Sequence, residues 1–342
     1  KEQVTAMADN SFCDILNNQS NVFTQNHMEE IQMYFDLSGL WQADIGDGKV
    51  YPMQLPGTLD ENRIGHKDLG QNQWHPDAAL GNAEEGFDEN APIATRFTRK
   101  YTFEGEARLT RRISFTPEEG KRVFLEAERA RCLRLLVDGK EVPHFSEGSL
   151  STPHVFEVTG LLNGDNEITL LSDNSYPGLP HDAIVYSSAA TDETQTNWNG
   201  VLGYLRLRVE EPVFLSALRI YPDRDGETLT VQAEVSADRF WSGTLLVESG
   251  ALKKEKSGAQ EYAGYQKKIC VQPGLTRFVL EKLPLAGDVR RWDEEEGNLY
   301  ELTARLSAKE RQELASRTET FGVRTFGDNG KGRLALNGRV IF

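Results

Sequence analysis

The sequence predicts an all-β protein built from two β-sandwiches in series, and three observations carry that prediction. Short apolar runs recur at close spacing and alternate with polar residues, as in "ARLTRRISFT" (107–116). Gly, Pro and Asp punctuate the runs, and Asp138-Gly139 and Asn337-Gly338 stand between apolar segments as two-residue hairpin turns. No long stretch carries the 3.6-residue period of an amphipathic helix. At 342 residues the chain exceeds the length at which one core stops growing, roughly 250–300 residues, so two domains are expected.

Residues 1–34 are rich in Asn, Gln and Ser and read as an irregular or partly helical lead-in. At "FDLSGLWQADIGDGKVYPMQLPGTLDE" (35–61) the texture changes to short strands and turns. Residues 107–116 alternate so that Leu109, Arg111, Ile113 and Phe115 share a face. Leu133–Val137 runs into the Asp138-Gly139 turn, whose two central residues both need positive φ. "NEITLLSDN" (166–174) and "GYLRLRVEE" (203–211) add strands, and Glu211-Pro212 marks a domain boundary. Beyond it six or seven short strands follow between 213 and 322, the density of an immunoglobulin-like sandwich, here without that fold's cysteine pair. "ALKKEKSGAQEYAG" (251–264) reads as an exposed hairpin tip. The expected layout is a lead-in over 1–34, a larger sandwich over 35–212, a smaller one over 213–322, and the beginning of something further over 323–342.

Composition narrows the function classes. With 38 Lys and Arg against 53 Asp and Glu, the formal net charge is −15. Such a surface repels phosphate backbones and acidic lipid, so no nucleic-acid or membrane partner is expected, and a neutral ligand suits it better than an acidic one. No apolar stretch approaches the ~20 residues that span a bilayer. The three cysteines Cys13, Cys132 and Cys270 lie far apart, which gives no disulfide framework or CxxC metal site and leans toward a reducing, cytoplasmic compartment. The histidines form no HxH or HExxH spacing, and no cofactor motif such as GxGxxG or GxxxxGK[ST] occurs, so no metal or cofactor is expected.

Several stretches, taken in order, resemble glycoside hydrolase family 2, the family of β-galactosidases, β-glucuronidases and β-mannosidases. "LSGLWQ" with "LPGTLDE" is similar to the opening of that family's sugar-binding jelly-roll domain, "LLVDGKEV" to its central hairpin, and "TDETQTNWNGVLGYLRLRV" to its closing segment. "WDEEEGNLYELTARL" resembles the last strands of the family's immunoglobulin-like domain. "FGVRTF" with "LALNGRVIF" resembles the lead into its third domain, a (β/α)₈ barrel. The resemblance covers about 36–342 and implies a jelly roll, then an immunoglobulin-like sandwich, then the start of a barrel that stops at Phe342. Retaining glycosidases need two carboxyl groups roughly 5–5.5 Å apart, and barrel enzymes keep their active sites on the loops after the strands. The resemblance places both catalytic glutamates in the barrel beyond Phe342, so it assigns no catalytic residue here.

"ATDETQTNWNG" (190–200) is the densest polar and aromatic cluster. Neutral sugars are held by groups that both donate and accept hydrogen bonds, with an aromatic face against the ring. The matching segment of some family members touches the sugar, which makes Asp192, Asn197, Trp198 and Asn199 the candidate substrate-binding residues. A long loop (71–92) with Trp74 and His75, and a Pro/Gly-rich loop (173–188) with Tyr176, His181 and Asp182, are weaker candidates. The acidic run "WDEEEGN" (292–298) lacks calcium-loop spacing and reads as a solvated loop.

The expected function is therefore the non-catalytic portion of a retaining β-glycoside hydrolase. It would shape the site for a β-linked sugar, a β-galactoside first, and brace its own C-terminal barrel, with a homo-oligomer open. A free-standing carbohydrate-binding module is the second reading, and a ligand-free pair of sandwiches the third.

Overall fold

The structure, a computed structural model, describes residues 33–67, 101–149, 151–180, 183, 197–251, 262–285, 289–309 and 312–341. It is all-β, as the sequence predicts, and separates Gln32–Glu210 from Glu211–Phe342 as compact units.

The first unit runs through β1 (Met33–Asp36), β2 (Gly39–Asp44), β3 (Val50–Leu55), β4 (Gly57–Thr58), β5 (His66–Lys67) and β6 (Tyr101–Thr102). It continues with β7 (Glu106–Phe115), β8 (Arg122–Ala127), β9 (Cys132–Val137), β10 (Lys140–Val142) and β11 (His144–Ser146). It ends with β12 (His154–Glu157), β13 (Gly164–Asp173), β14 (Gly200–Val201) and β15 (Leu205–Glu210). A five-stranded sheet, β1-β15-β8-β12-β11, faces a six-stranded one, β10-β9-β13-β7-β2-β3, and their inner faces share a core that includes Trp41, Leu109, Leu125, Leu135, Phe156 and Leu170. The alternation read from the sequence sets the inward rows: Ala107, Leu109 and Ile113 are buried on β7. Arg111 shares that row, and its guanidinium donates to the carbonyls of Leu37 and Ser38 at 2.8 and 2.9 Å. Two backbone acceptors of a tight corner, one of them on buried Leu37, thereby gain a charged donor. The β9–β10 turn has Asp138 at φ 48° and Gly139 at φ 77°, the left-handed pair that the Asp-Gly signal demands.

The second unit is a seven-stranded sandwich: β16 (Val213–Pro222), β17 (Thr228–Ala237), β18 (Trp241–Ala251), β19 (Tyr262–Val271), β20 (Gly274–Pro284), β21 (Tyr300–Lys309) and β22 (Gln312–Phe321). Sheets of three (β16-β17-β20) and four strands (β19-β18-β21-β22) close on Val231, Leu245, Leu302 and Leu306, the immunoglobulin-like arrangement that the strand density predicts. The hairpin tip read at 251–264 falls mostly outside the described residues; its flanks, β18 and β19, pair with Gly250 opposite Tyr262. The chain then forms an antiparallel meander of β23 (Phe326–Asp328), β24 (Leu334–Leu336) and β25 (Arg339–Val340), turning at Asn337 and Gly338 with φ of 51° and 82°. The acidic loop ties to this meander. Arg339 pairs with Glu294, the Asn337 side-chain amide donates to the Trp292 carbonyl at 3.0 Å, and Asp293 caps its own turn by accepting from the Glu295 and Glu296 amides. Its carboxyl sits below the ordinary carboxylate range because of those backbone bonds.

Candidate functional site

Of the four candidate residues, Asn197, Trp198 and Asn199 are described; Asp192 lies outside the described residues, as do Trp74, His75, His181 and Asp182. The three described residues approach β14, which pairs with β4 so that Gly200 lies opposite Thr58 and Val201 opposite Gly57. At Gly200 φ is +134°, and a Cβ there would fall well inside van der Waals contact of the Gly57 carbonyl. Only glycine fits this close backbone approach.

Asn197 and Asn199 are 1% and 3% exposed. The Asn197 side-chain amide donates to the Asn174 carbonyl at 3.0 Å, and that of Asn199 to the carbonyls of Gly105 and Ser172 at 2.9 and 3.1 Å. Asn174, fully buried, completes the knot. Its Nδ2 donates to the Phe103 and Asn197 carbonyls, both at 2.8 Å, while its Oδ1 accepts from the Gly105 amide at 3.0 Å and from Asn199 Nδ2 at 3.3 Å. Three asparagines thus stitch the chain after β13 and before β14 to the turn before β7. The Oδ1 atoms of Asn197 and Asn199 are buried and accept no hydrogen bond among the described residues.

Trp198 is half-buried between them. Arg131, 4% exposed in the turn before β9, donates through Nε to the Trp198 carbonyl at 2.8 Å and stacks its guanidinium on the indole, 4.7 Å from the ring centroid. The same guanidinium bonds the Tyr176 hydroxyl and lies 5.6 Å from that ring's centroid. Tyr176 takes a left-handed backbone, φ 54°. One buried cation therefore couples the two loops flagged in the sequence, 173–188 and 190–200. Nothing in the sequence singles out Arg131, one of three arginines in "ERARCLR" (128–134).

Beside this clamp a pocket of about 940 Å³ opens on the flank of the first sandwich, where Pro143 carries the chain from β10 of one sheet to β11 of the other. Its floor is the outward face of β7, β13 and β9, where Glu106, Asp173 and Cys132 align in one row and Leu171 lies opposite Arg134 in the next. Arg134 pairs with Glu106 at 2.6 Å and with Glu141 at 3.3 Å. Burial pushes the Cys132 thiol up, reinforced by Asp173 and Glu147. The far wall, Glu147–Ser149, is pinned: a Cβ on Gly148 would collide with the backbone of Pro153 and His154, and the Gly148 amide donates to His154 Nδ1 at 3.3 Å. With Nδ1 accepting, the ring proton sits on Nε2 and is donated to the Arg131 carbonyl at 3.0 Å. Burial lowers the His154 pKa and holds the ring neutral. Among the described residues no group of three His, Cys, Asp or Glu could hold a metal ion, and no helix is long and apolar enough to cross a membrane.

The fold and this site define a protein of two consecutive β-sandwiches, with a braced polar and aromatic segment leading into the last strands of the first. The model of the glycosyl hydrolases family 2 matches residues 213–324, the second sandwich, in agreement with the resemblance read from that part of the sequence. Comparison with curated protein sequences finds no match. Among solved structures, β-glucuronidase 2 of Bacteroides uniformis aligns with a TM-score of 0.64 at 17% identity, over 90% of this chain and 34% of its own. A GH2 β-galacturonidase of Eisenbergiella tayi aligns with a TM-score of 0.59 at 20% identity, over 91% of this chain and 46% of its own. A glycosyl hydrolase family 2 member of Bacteroides cellulosilyticus aligns with a TM-score of 0.59 at 14% identity, over 90% and 38%. At these identities the alignments establish the shared fold, and this chain spans between a third and a half of the structures it matches.

Proposed function

We propose that this chain is the non-catalytic recognition portion of a retaining β-glycoside hydrolase, with a neutral β-linked sugar, a β-galactoside first, as the substrate of the longer protein. The family match over 213–324, following a jelly-roll sandwich, is the observation that carries this reading. The first sandwich shapes the sugar site through the 190–200 segment, and the second braces the barrel that supplies the two catalytic carboxylates. Within the segment the roles divide. Asp192 and Trp198 are the proposed sugar contacts, the indole supplying an apolar ring face. Asn197 and Asn199, with their side-chain amides committed to backbone carbonyls, hold that segment in shape. The net charge of −15 favours a neutral substrate over a uronide, although uronide-cleaving enzymes share the fold. The test is Trp198→Ala in the longer protein with nitrophenyl β-galactoside and β-glucuronide. A rise in KM of roughly tenfold or more is expected, the worth of one lost ring-face contact of about 1.4 kcal/mol. Unchanged KM and kcat would remove the segment from the sugar site.

A further inference from the structure

We infer that the flank pocket between β10 and β11 is a saccharide-binding site of its own, built to take a neutral glycan unit. The described residues that line it all belong to the first sandwich. At about 940 Å³ it lies in the size range of small-ligand sites, roughly 300–1,000 Å³, and exceeds what one hexose fills, so a disaccharide fits.

The lining chemistry selects the class. Four carboxylates, Glu106, Glu141, Glu147 and Asp173, face two guanidinium groups, Arg131 and Arg134. That balance repels an anion. It does not make a cation trap either, because Arg134 already engages Glu106 and Glu141, while the Asp173 carboxylate accepts from the Ser175 amide and hydroxyl at 2.7 and 2.6 Å. What remains is an alternation of charged acceptors and donors above an apolar strip that includes Leu171 and Val142. A sugar hydroxyl donates and accepts at once, so it can bridge a carboxylate and a guanidinium in a way no simple ion does. Glu147 stands on the wall with no hydrogen-bond partner among the described residues, and Tyr176 stands at the lip with its ring backed by the buried Arg131 guanidinium.

Pre-organisation supports a built site rather than an incidental hollow. The wall that carries Glu147 is fixed by the Gly148 contact with Pro153 and His154. The lip is fixed by the Arg131 bond to Tyr176 and by the left-handed backbone of that residue, a conformation costly for a non-glycine residue and retained where the surroundings enforce it. Fixed walls lower the ordering cost of binding. The inference does not need the longer protein's activity, and it concerns a site other than the 190–200 segment.

The experiment is calorimetric titration of the 342-residue chain with lactose, cellobiose and glucuronic acid, repeated with Glu147→Gln and Tyr176→Ala. Saturable binding of a neutral disaccharide is expected, with glucuronic acid at least tenfold weaker. Glu147→Gln should weaken the disaccharide about tenfold, the worth of one hydrogen bond to a carboxylate, while leaving the unfolding transition in place because that side chain is exposed and makes no hydrogen bond or ion pair among the described residues. Tyr176→Ala should abolish detectable heat. No saturation by either neutral disaccharide up to about 50 mM, weaker than the millimolar affinity of a minimal ligand, would overturn the inference. So would binding of glucuronic acid equal to that of lactose, or binding indifferent to both substitutions. None of these outcomes bears on the Trp198→Ala test in the longer protein.

Discussion

Replacing Asn174 by Ala tests how the candidate segment is held. The side chain is fully buried and makes four hydrogen bonds, to Gly105 N, Phe103 O, Asn197 O and Asn199 Nδ2, at 2.8 to 3.3 Å. A buried intramolecular hydrogen bond contributes about 1 kcal/mol net, so losing four removes about 4 kcal/mol. Stranding the Phe103 and Asn197 carbonyls adds to the loss, and a water entering the vacated space offsets part of it. The bond from Asn197 Nδ2 to the Asn174 carbonyl is main-chain at its acceptor and survives the substitution. In urea, with a slope of about 2 kcal/mol per molar, the midpoint of the first sandwich should fall by roughly 2 M. Native-state hydrogen exchange should report faster opening at Gly105 and Val201, while β17 and β21 in the other unit keep their protection. A midpoint shift below about 0.5 M, or equal loss of protection in both units, would refute the claim that the asparagine knot secures this segment.

Further outcomes follow from the same geometry. Gly200→Ala should destabilise the first sandwich by about 3 kcal/mol or more, since a Cβ would meet the Gly57 carbonyl at a backbone angle that disfavours any side chain; thermal unfolding measures it. Arg131→Met should free the Trp198 indole and remove its carbonyl's donor, for a loss of about 2–4 kcal/mol, with a changed tryptophan emission that Arg131→Lys restores only in part. His154 gives a pH signature. Its folded pKa is depressed by burial, so below about 6.5 the unfolded chain binds a proton that the folded chain refuses. Stability is then full above that pH and falls on acidification, by at most about 1.4 kcal/mol per pH unit, until the folded pKa is passed. His154→Gln should flatten the profile between pH 7.5 and about 5.5, before the carboxylates begin to titrate; a profile identical to that of the unsubstituted chain would contradict the neutral assignment.

The fold was legible where local chemistry decides it. Asp138-Gly139 and Asn337-Gly338 adopt the left-handed pairs their sequence requires, and the period-two rows of β7 point inward as written, with Arg111 accommodated by two corner carbonyls. The segment 190–200 stood out by composition, yet the direction of its side chains was hidden. Asn197 and Asn199 turn inward because Asn174, Gly105 and Ser172 offer partners, and those contacts span 23 to 94 positions along the chain. Arg131 was invisible for the same reason: its partners Tyr176 and Trp198 lie 45 and 67 positions away. The flank pocket draws its floor from three strands and its wall from the connection after β11, so no single stretch of sequence announces it.

The central claim is that this chain recognises and positions a sugar while the chemistry of glycoside cleavage belongs elsewhere. Turnover of a panel of nitrophenyl β-glycosides, galactoside, glucuronide and mannoside, by the purified 342-residue chain tests it most directly. The account predicts no hydrolysis above the buffer rate at any pH from 5 to 8. Enzyme-level turnover of any one glycoside, retained through purification and lost on unfolding, would contradict it.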